Sequence, residues 1–69
     1  MKKVLFAAKD CGNPIQSGYD KAAWWIADQR AKGNMLEGCY ITSHKIGTWT
    51  NRYNEQEEVY AYEVCIDEE

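Results

Sequence analysis

The chain has 69 residues, of which 45% are hydrophobic and 13% aromatic, and a formal net charge of −3. This length predicts a single domain, residues 1–69, with a small core, which disfavours deep catalytic pockets, and the content of core-forming residues excludes a disordered chain. No stretch approaches the ~20 apolar residues of a membrane-spanning helix. The apolar run after Lys3 stops at Lys9, short of the ~7–15 residues of a secretory signal, so we expect a soluble protein.

The first predicted element is a strand. Residues 3–9 are apolar on both faces, which is typical of an interior strand, so we expect this strand to be central in a sheet. Residues 10–14 then concentrate turn-forming side chains, including a proline and a glycine. The chain is therefore predicted to leave the sheet at this point.

The second predicted element is a helix from Gly18 to Lys32. Ser17 is a favourable N-cap, and Gly33 supplies a stop at the C-terminal end. At 100° per residue, one side of this helix forms an apolar stripe that should face the sheet, made of Tyr19, Ala22, Ala23, Ile26 and Ala27.

Trp25 falls away from that stripe, among the charged residues of the helix, with Trp24 on the flank. One interpretation is that the loop before the helix or the C-terminal tail buries an indole, since tryptophan is mostly buried in proteins. The other is that the indole is an exposed anchor for a protein partner, since tryptophan is enriched in interface hot spots. The sequence leaves both open.

The second half of the chain predicts two or three strands. Residues 39–44 alternate and are rich in β-branched and aromatic side chains, residues 46–53 are either a further strand or a structured loop, and residues 54–57 form a polar turn. Residues 59–66 give the clearest strand pattern, with Glu63 on the face opposite the tyrosines. We therefore predict an α+β domain in which one helix packs on a three- or four-stranded antiparallel sheet, in the order β-α-β-β(-β). One helix can cover only one face of such a sheet.

Charge is divided along the chain. Residues 1–52 contain all eight basic residues and four acidic ones, whereas residues 53–69 contain seven acidic residues and no lysine or arginine. The acidic residues either solubilise a hairpin and discourage edge pairing or form a surface that docks on a basic groove of a protein partner. The candidate partner-binding residues are Glu57, Glu58, Glu63, Trp25 and Trp49.

The sequence favours a binder over an enzyme. Cys11, Cys39, Cys65 and His44 include the ligand types of a zinc site, but the closely spaced pairs typical of structural zinc are absent. Cys11 and His44 could act as nucleophile and base, yet no oxyanion site or substrate pocket is evident. Phosphate-binding glycine spacings are also absent. We predict no catalysis, metal or cofactor, and an odd number of scattered cysteines favours a reducing cytoplasm.

Two further functions stay open. Lys45, Trp49, Arg52 and Tyr53 interleave basic and aromatic side chains, as in platforms that bind single-stranded nucleic acid, although the acidic balance of the domain argues against this. Self-association through the uncovered sheet face, for example as a homodimer, is the other alternative.

In size, acidity and predicted β-α-β-β order, the whole chain resembles the small phage-encoded host-takeover proteins, among them the anti-CRISPR inhibitors of the surveillance complex. The resemblance implies an inhibitor that acts in the host cytoplasm on a nucleic-acid-handling complex. It also implies that Glu57, Glu58, Glu63 and the C-terminal tail mimic nucleic-acid charge at a basic channel, while Trp25 or Trp49 anchors the contact.

Overall fold

The structure is a computed structural model that describes residues 1–12, 15–34 and 36–68. These residues form three strands and one helix: β1 (Lys2–Lys9), α1 (Gly18–Ala31), β2 (Tyr40–Thr50) and β3 (Gln56–Asp67). The predicted α+β class is confirmed, because one helix lies on a three-stranded antiparallel sheet in the order β-α-β-β. Part of the predicted turn at 10–14, namely Asn13 and Pro14, lies outside the described residues.

The central strand is β3. The sheet order is β1-β3-β2, and both outer strands run antiparallel to β3. The prediction that residues 3–9 form a central strand is therefore wrong. Lysines at both ends of β1 mark it as an edge, where charge discourages further pairing, and its Val4 is 43% exposed. By contrast, β3 contributes the fully buried Val64 and Cys65.

β2 and β3 form one long hairpin. Residues 46–53, which the sequence left between strand and loop, continue β2 as far as Thr50, so the described residues contain no fourth strand. A register shift between Lys45 and Gly47 marks a bulge in β2, where an extra residue bends the strand.

The turn of this hairpin comes earlier than the predicted 54–57. The Asn51 side-chain oxygen accepts the backbone N–H groups of Tyr53 and Glu55 at 2.9 and 3.0 Å, an asparagine-centred turn. Consequently β3 already begins at Gln56.

α1 begins at the predicted residue and ends one residue earlier than predicted. The Ser17 hydroxyl accepts the Asp20 N–H at 3.4 Å, which confirms the N-cap. At the other end Gly33 has φ +86° and donates its N–H to the Arg30 carbonyl at 3.0 Å, as expected for a glycine that terminates a helix. Among the described residues, no helix has the length and apolarity needed to cross a membrane.

Asp10 joins the start of α1 to the central strand. Its Oδ1 accepts the Gly18 N–H at 2.7 Å, and its Oδ2 accepts the Tyr60 N–H at 2.9 Å. The approach is so close that a Cβ on Gly18 would lie 2.7 Å from the carbonyl carbon of Lys9 and 2.8 Å from Cδ2 of Tyr62. This contact fixes where the helix enters the sheet.

The face of α1 that meets the sheet is rotated relative to the predicted stripe. Ala22 is fully buried, and the partly buried Trp25 stacks on Phe6, with ring centroids 5.3 Å apart and an interplanar angle of 8°. Tyr19, placed in the predicted stripe, is 51% exposed. The ring that packs on Trp25 belongs to β1, because α1 lies over β1 and β3.

Candidate protein-binding surface

The two faces of the sheet differ because only one carries the helix. Tyr62 lies on the helix side, where its ring meets the Tyr19 ring edge-on at 5.9 Å. Tyr60 shares this side and has its ring 6.4 Å from that of Tyr62. Side chains alternate along a strand, so Glu63 and Cys65 lie on the opposite, helix-free face. The prediction that Glu63 lies on the face of β3 opposite the tyrosines is thus confirmed.

Beyond the end of β1, the hairpin continues as a two-stranded arm. The pairing of β1 with β3 ends at Lys9 and Ala61, whereas β2 and β3 stay paired as far as Thr50 and Gln56. We call residues 47–59 the hairpin arm. The described part of the chain is accordingly long and flat, with extents of 45 × 26 × 12 Å. None of the other described elements packs on this two-stranded ribbon, so both of its faces are available for contact.

Trp49 and Glu57 are cross-strand neighbours on the helix-free face of this arm. They pair directly in the register. The adjacent Gln56 donates its side-chain amide to the Thr50 hydroxyl at 2.6 Å on the other face. Glu57 forms no ion pair with any described residue. The arm therefore presents an indole beside a carboxylate that is free to meet a cation.

Glu58 lies on the other face of the arm and is held within the chain. The Tyr60 hydroxyl donates a hydrogen bond to its carboxylate, and the Lys45 ammonium lies 3.6 Å from it. The hydrogen bond from Tyr60, reinforced by the Lys45 charge, lowers the pKa of Glu58 from its usual 4.5. Glu58 is therefore charged but already engaged.

The acidic segment, residues 53–69, is partly neutralised by lysines of β1. Lys2 lies 3.8 Å from Glu63, and Lys3 lies 3.5 Å from Glu68. Such ion pairs at the surface contribute little to stability. They do reduce the negative field of the sheet, and among the described carboxylates of the segment those without an ion pair are Glu55, Glu57 and Asp67.

The predicted partner-binding residues thus lie in three different places. Trp49, Glu57 and Glu63 share the helix-free face, whereas Glu58 lies on the opposite face. Trp25 lies on the side of α1 that faces β1, where its ring stacks on that of Phe6.

The basic and aromatic residues proposed for nucleic-acid binding do not share a face. Lys45 bridges to Glu58 on the helix side, and Trp49 lies on the helix-free face. The guanidinium of Arg52 sits over the Tyr53 ring at 5.8 Å, at the tip of the arm.

The cysteines lie in separate environments. Cys11 is exposed, and the Lys21 ammonium donates to its sulfur at 2.8 Å. Cys65 is buried, with its sulfur 4.0 Å from the Thr42 hydroxyl. His44 lines a shallow depression on the helix-free face. Within the described ranges, no group of three or more histidine, cysteine, aspartate or glutamate side chains could hold a metal ion.

Two residues have surroundings that no sequence pattern indicates. Trp24, placed on the helix flank, is the exposed tryptophan, at 79%, and its position between Ala23 and Trp25 gave no apolar signal of its own. Asp10 stands among turn-forming residues in the sequence, and only the contact with the distant Tyr60 reveals its role.

In comparisons with known proteins, no family model, curated protein or solved structure matches this chain significantly.

Proposed function

We propose that this chain is a small protein-binding module that inhibits a larger nucleic-acid-handling protein by placing its hairpin arm in that partner's basic groove. The observation that carries the proposal is the pairing of Trp49 with Glu57 on the helix-free face of the arm.

Both side chains suit such a contact. Three glutamates and one arginine give the arm a net charge of −2, which complements a basic groove and raises the rate of association. Trp49 is partly buried beside β3, so its indole is held in position before binding, and tryptophan is enriched among residues that dominate binding energy. Glu63 extends the same face onto the body of the sheet.

Two residues expected at the contact have internal roles in this proposal. Glu58 is engaged by Tyr60 and Lys45, and Trp25 holds α1 on Phe6. The contact surface is therefore Trp49, Glu57 and Glu63.

A phage-encoded inhibitor of the anti-CRISPR type, acting in the host cytoplasm, is the specific form of this proposal. Small size, acidity and the β-α-β-β order support it. Cys11, Cys39 and Cys65 are free, as a reducing compartment would keep them. Inhibition here is by occupation of the groove and requires no catalysis or cofactor.

The alternatives are less well supported. The middle of the helix-free face is lined by the small Ala7 and Ala61, with Lys9, His44 and Glu63 around them. These polar and charged groups would lose water in a sheet-to-sheet dimer. Binding of single-stranded nucleic acid would need Lys45 and Trp49 on one face, and they lie on opposite faces.

Two double charge reversals test the proposal. Glu57→Lys with Glu63→Lys changes the helix-free face, and Glu55→Lys with Glu58→Lys is the matched control. Both double substitutions change the net charge by the same amount. In each, one glutamate is bridged to a lysine, namely Glu63 or Glu58. The other glutamate, Glu57 or Glu55, forms no ion pair with a described residue. Immobilised chain is incubated with host lysate, and retained proteins are identified by mass spectrometry.

We expect the original chain and the control pair to retain the same basic nucleic-acid-binding protein, and an excess of single-stranded oligonucleotide to displace it. The Glu57 and Glu63 pair should lose it. Equal retention by both double variants, or retention that the oligonucleotide leaves unchanged, would refute docking in a basic groove.

A further inference from the structure

The helix leaves part of the sheet uncovered on its own side. Because α1 packs on β1 and β3, an open groove runs between α1 and the start of β2. The helix contributes Ala23, Ile26 and Ala27, β2 contributes Ile41, and Arg30 lies at one end. We call this the α1–β2 groove. Ile26 and Ile41 are only partly buried in it, so the groove offers accessible apolar side chains within a mixed polar and apolar lining.

The free edge of β2 borders the same groove. Tyr60 directs its N–H and C=O toward β1, since both bond to Asp10. Backbone groups of a central strand alternate between its two neighbours, so Ala61 and Glu63 direct theirs toward β2, where they pair with His44 and Thr42.

On β2, the residues that alternate with Thr42 and His44 direct their backbone groups away from β3. The N–H and C=O of Ile41, Ser43 and Lys45 therefore lie on the free edge of β2, and none of the three forms a backbone hydrogen bond outside the strand ladders with another described residue. Unpaired groups in a row are a template for one more strand.

The two edges of the sheet differ in protection. β1 carries Lys2, Lys3 and Lys9 among its eight residues, and lysines on an edge discourage pairing. β2 has no lysine from Tyr40 to His44 and is interrupted only after Lys45 by the bulge. The unprotected stretch of the edge is thus the stretch beside the α1–β2 groove.

We propose that the edge of β2 binds an extended peptide segment of a partner protein as a fourth strand. The segment carries an apolar residue that enters the α1–β2 groove and an acidic residue that pairs with Arg30. This surface lies on the helix side of the sheet, so it neither rests on the hairpin arm nor requires the function proposed for it.

Geometry places an apolar side chain in the groove. A residue of the added strand opposite Ile41 would exchange both backbone hydrogen bonds with it. Directly opposed residues project to the same face of a sheet. That face carries the helix, so the side chain of the added residue would lie beside Ile26 and Ala23.

The charge of Arg30 favours a segment of another protein over a second copy of this chain. Arg30 forms no ion pair with a described residue, and no aspartate or glutamate is found among the described residues that line the groove. A second copy of β2 would bring Lys45 and no carboxylate, and so leaves Arg30 without a partner. An acidic and apolar segment of another protein supplies both groups.

A displayed library of random peptides about nine residues long, within the usual length of a strand, is selected on the whole chain. We expect enriched peptides to alternate apolar residues and to carry an acidic one. On binding, the amides of Ile41 and Ser43 should become protected from hydrogen exchange in NMR spectra, whereas the amide of Ala7 on the other edge should not change.

Ser43→Pro removes an outward N–H without removing a ladder bond, which edge strands tolerate. We expect it to weaken peptide binding by about tenfold or more. Ala7→Pro, which removes the corresponding N–H on the edge of β1, is the matched control and should leave affinity unchanged. Arg30→Glu should shift the selected peptides from acidic to basic.

Three results would overturn the proposal. The first is a selection without a common pattern. The second is equal binding to the Ser43→Pro chain while its circular dichroism stays that of the original. The third is a dimer in sedimentation that Ser43→Pro converts to a monomer, which would assign the edge to a second copy of this chain.

Discussion

Asp10→Ala should strongly destabilise the fold, although no sequence pattern marks this residue. Its carboxylate accepts the N–H groups of Gly18 and Tyr60 at 2.7 and 2.9 Å. One belongs to the first turn of α1 and the other to the central strand. Alanine would leave both donors without an acceptor at a point where Gly18 is buried, and a buried N–H without a partner is costly.

The expected loss in the free energy of unfolding follows from these two hydrogen bonds. A hydrogen bond to a charged group contributes about 1.5–3 kcal/mol, and two bonds to one carboxylate do not add fully, so we expect a loss of about 3 kcal/mol. Small domains have a free energy of unfolding near the lower end of about 5–15 kcal/mol. The loss would therefore be a large fraction of the total stability.

Urea denaturation followed by circular dichroism measures this loss. With a slope of about 1 kcal/mol per molar for a small domain, the midpoint should fall by about 3 M. Asp20→Ala is the matched control, because it removes a carboxylate from the same helix end and should cost only about 0.3–1 kcal/mol. If the two variants unfold at the same midpoint, Asp10 does not join α1 to β3 as described.

Three other perturbations test separate contacts. Gly18→Ala should lower the free energy of unfolding by about 1–3 kcal/mol, because the new Cβ meets backbone that cannot move aside; an unchanged midpoint in urea would contradict the close approach. Trp25→Ala should cost about 2–3 kcal/mol, whereas Trp24→Ala should stay within about 0.5 kcal/mol, and equal effects would contradict the stacking. Tyr60→Phe should raise the pKa of Glu58 toward 4.5 in an NMR titration. Since that pKa is lowered in the fold, the contribution of Glu58 to stability is present above pH 4.5 and disappears as the pH falls through the folded pKa.

Local signals in the sequence were sufficient for the elements themselves. The Ser17 cap and the Gly33 stop gave the helix to within one residue, because helix ends depend on nearby backbone groups. Alternation along residues 59–66 gave the two faces of β3 for the same reason. Both patterns involve residues that are close in the chain.

Local sequence signals did not predict how the helix and the strands pack against one another. Apolar residues on both faces of β1 suggested a central strand, yet the position of a strand in a sheet depends on which long-range pairings form. Trp25 contacts Phe6 only because α1 lies over β1. The angular positions of residues around the helix axis do not show which strand the helix will contact.

For the candidate surface, alternation along β3 predicts which glutamates share a face. Glu57 and Glu63 are an even number of residues apart, so alternation alone puts them on one face and Glu58 on the other. What required the structure was the end of β1 at Lys9. Among the described residues the arm therefore has no third strand, and the pair of Trp49 and Glu57 that the β2–β3 register forms stays accessible.

The central claim is that the helix-free face of the hairpin arm contacts a basic protein. Site-specific photocrosslinking tests it most directly, with a photoreactive phenylalanine derivative placed at Gly47, which shares the helix-free face with Trp49 and has room for a side chain, or, on the other face of the same arm, at Thr48. We predict a crosslink from the first position to a peptide that lines a nucleic-acid-binding groove, and its loss when excess oligonucleotide is added. Equal crosslinking from both positions, or a crosslink that the oligonucleotide does not diminish, would contradict the account.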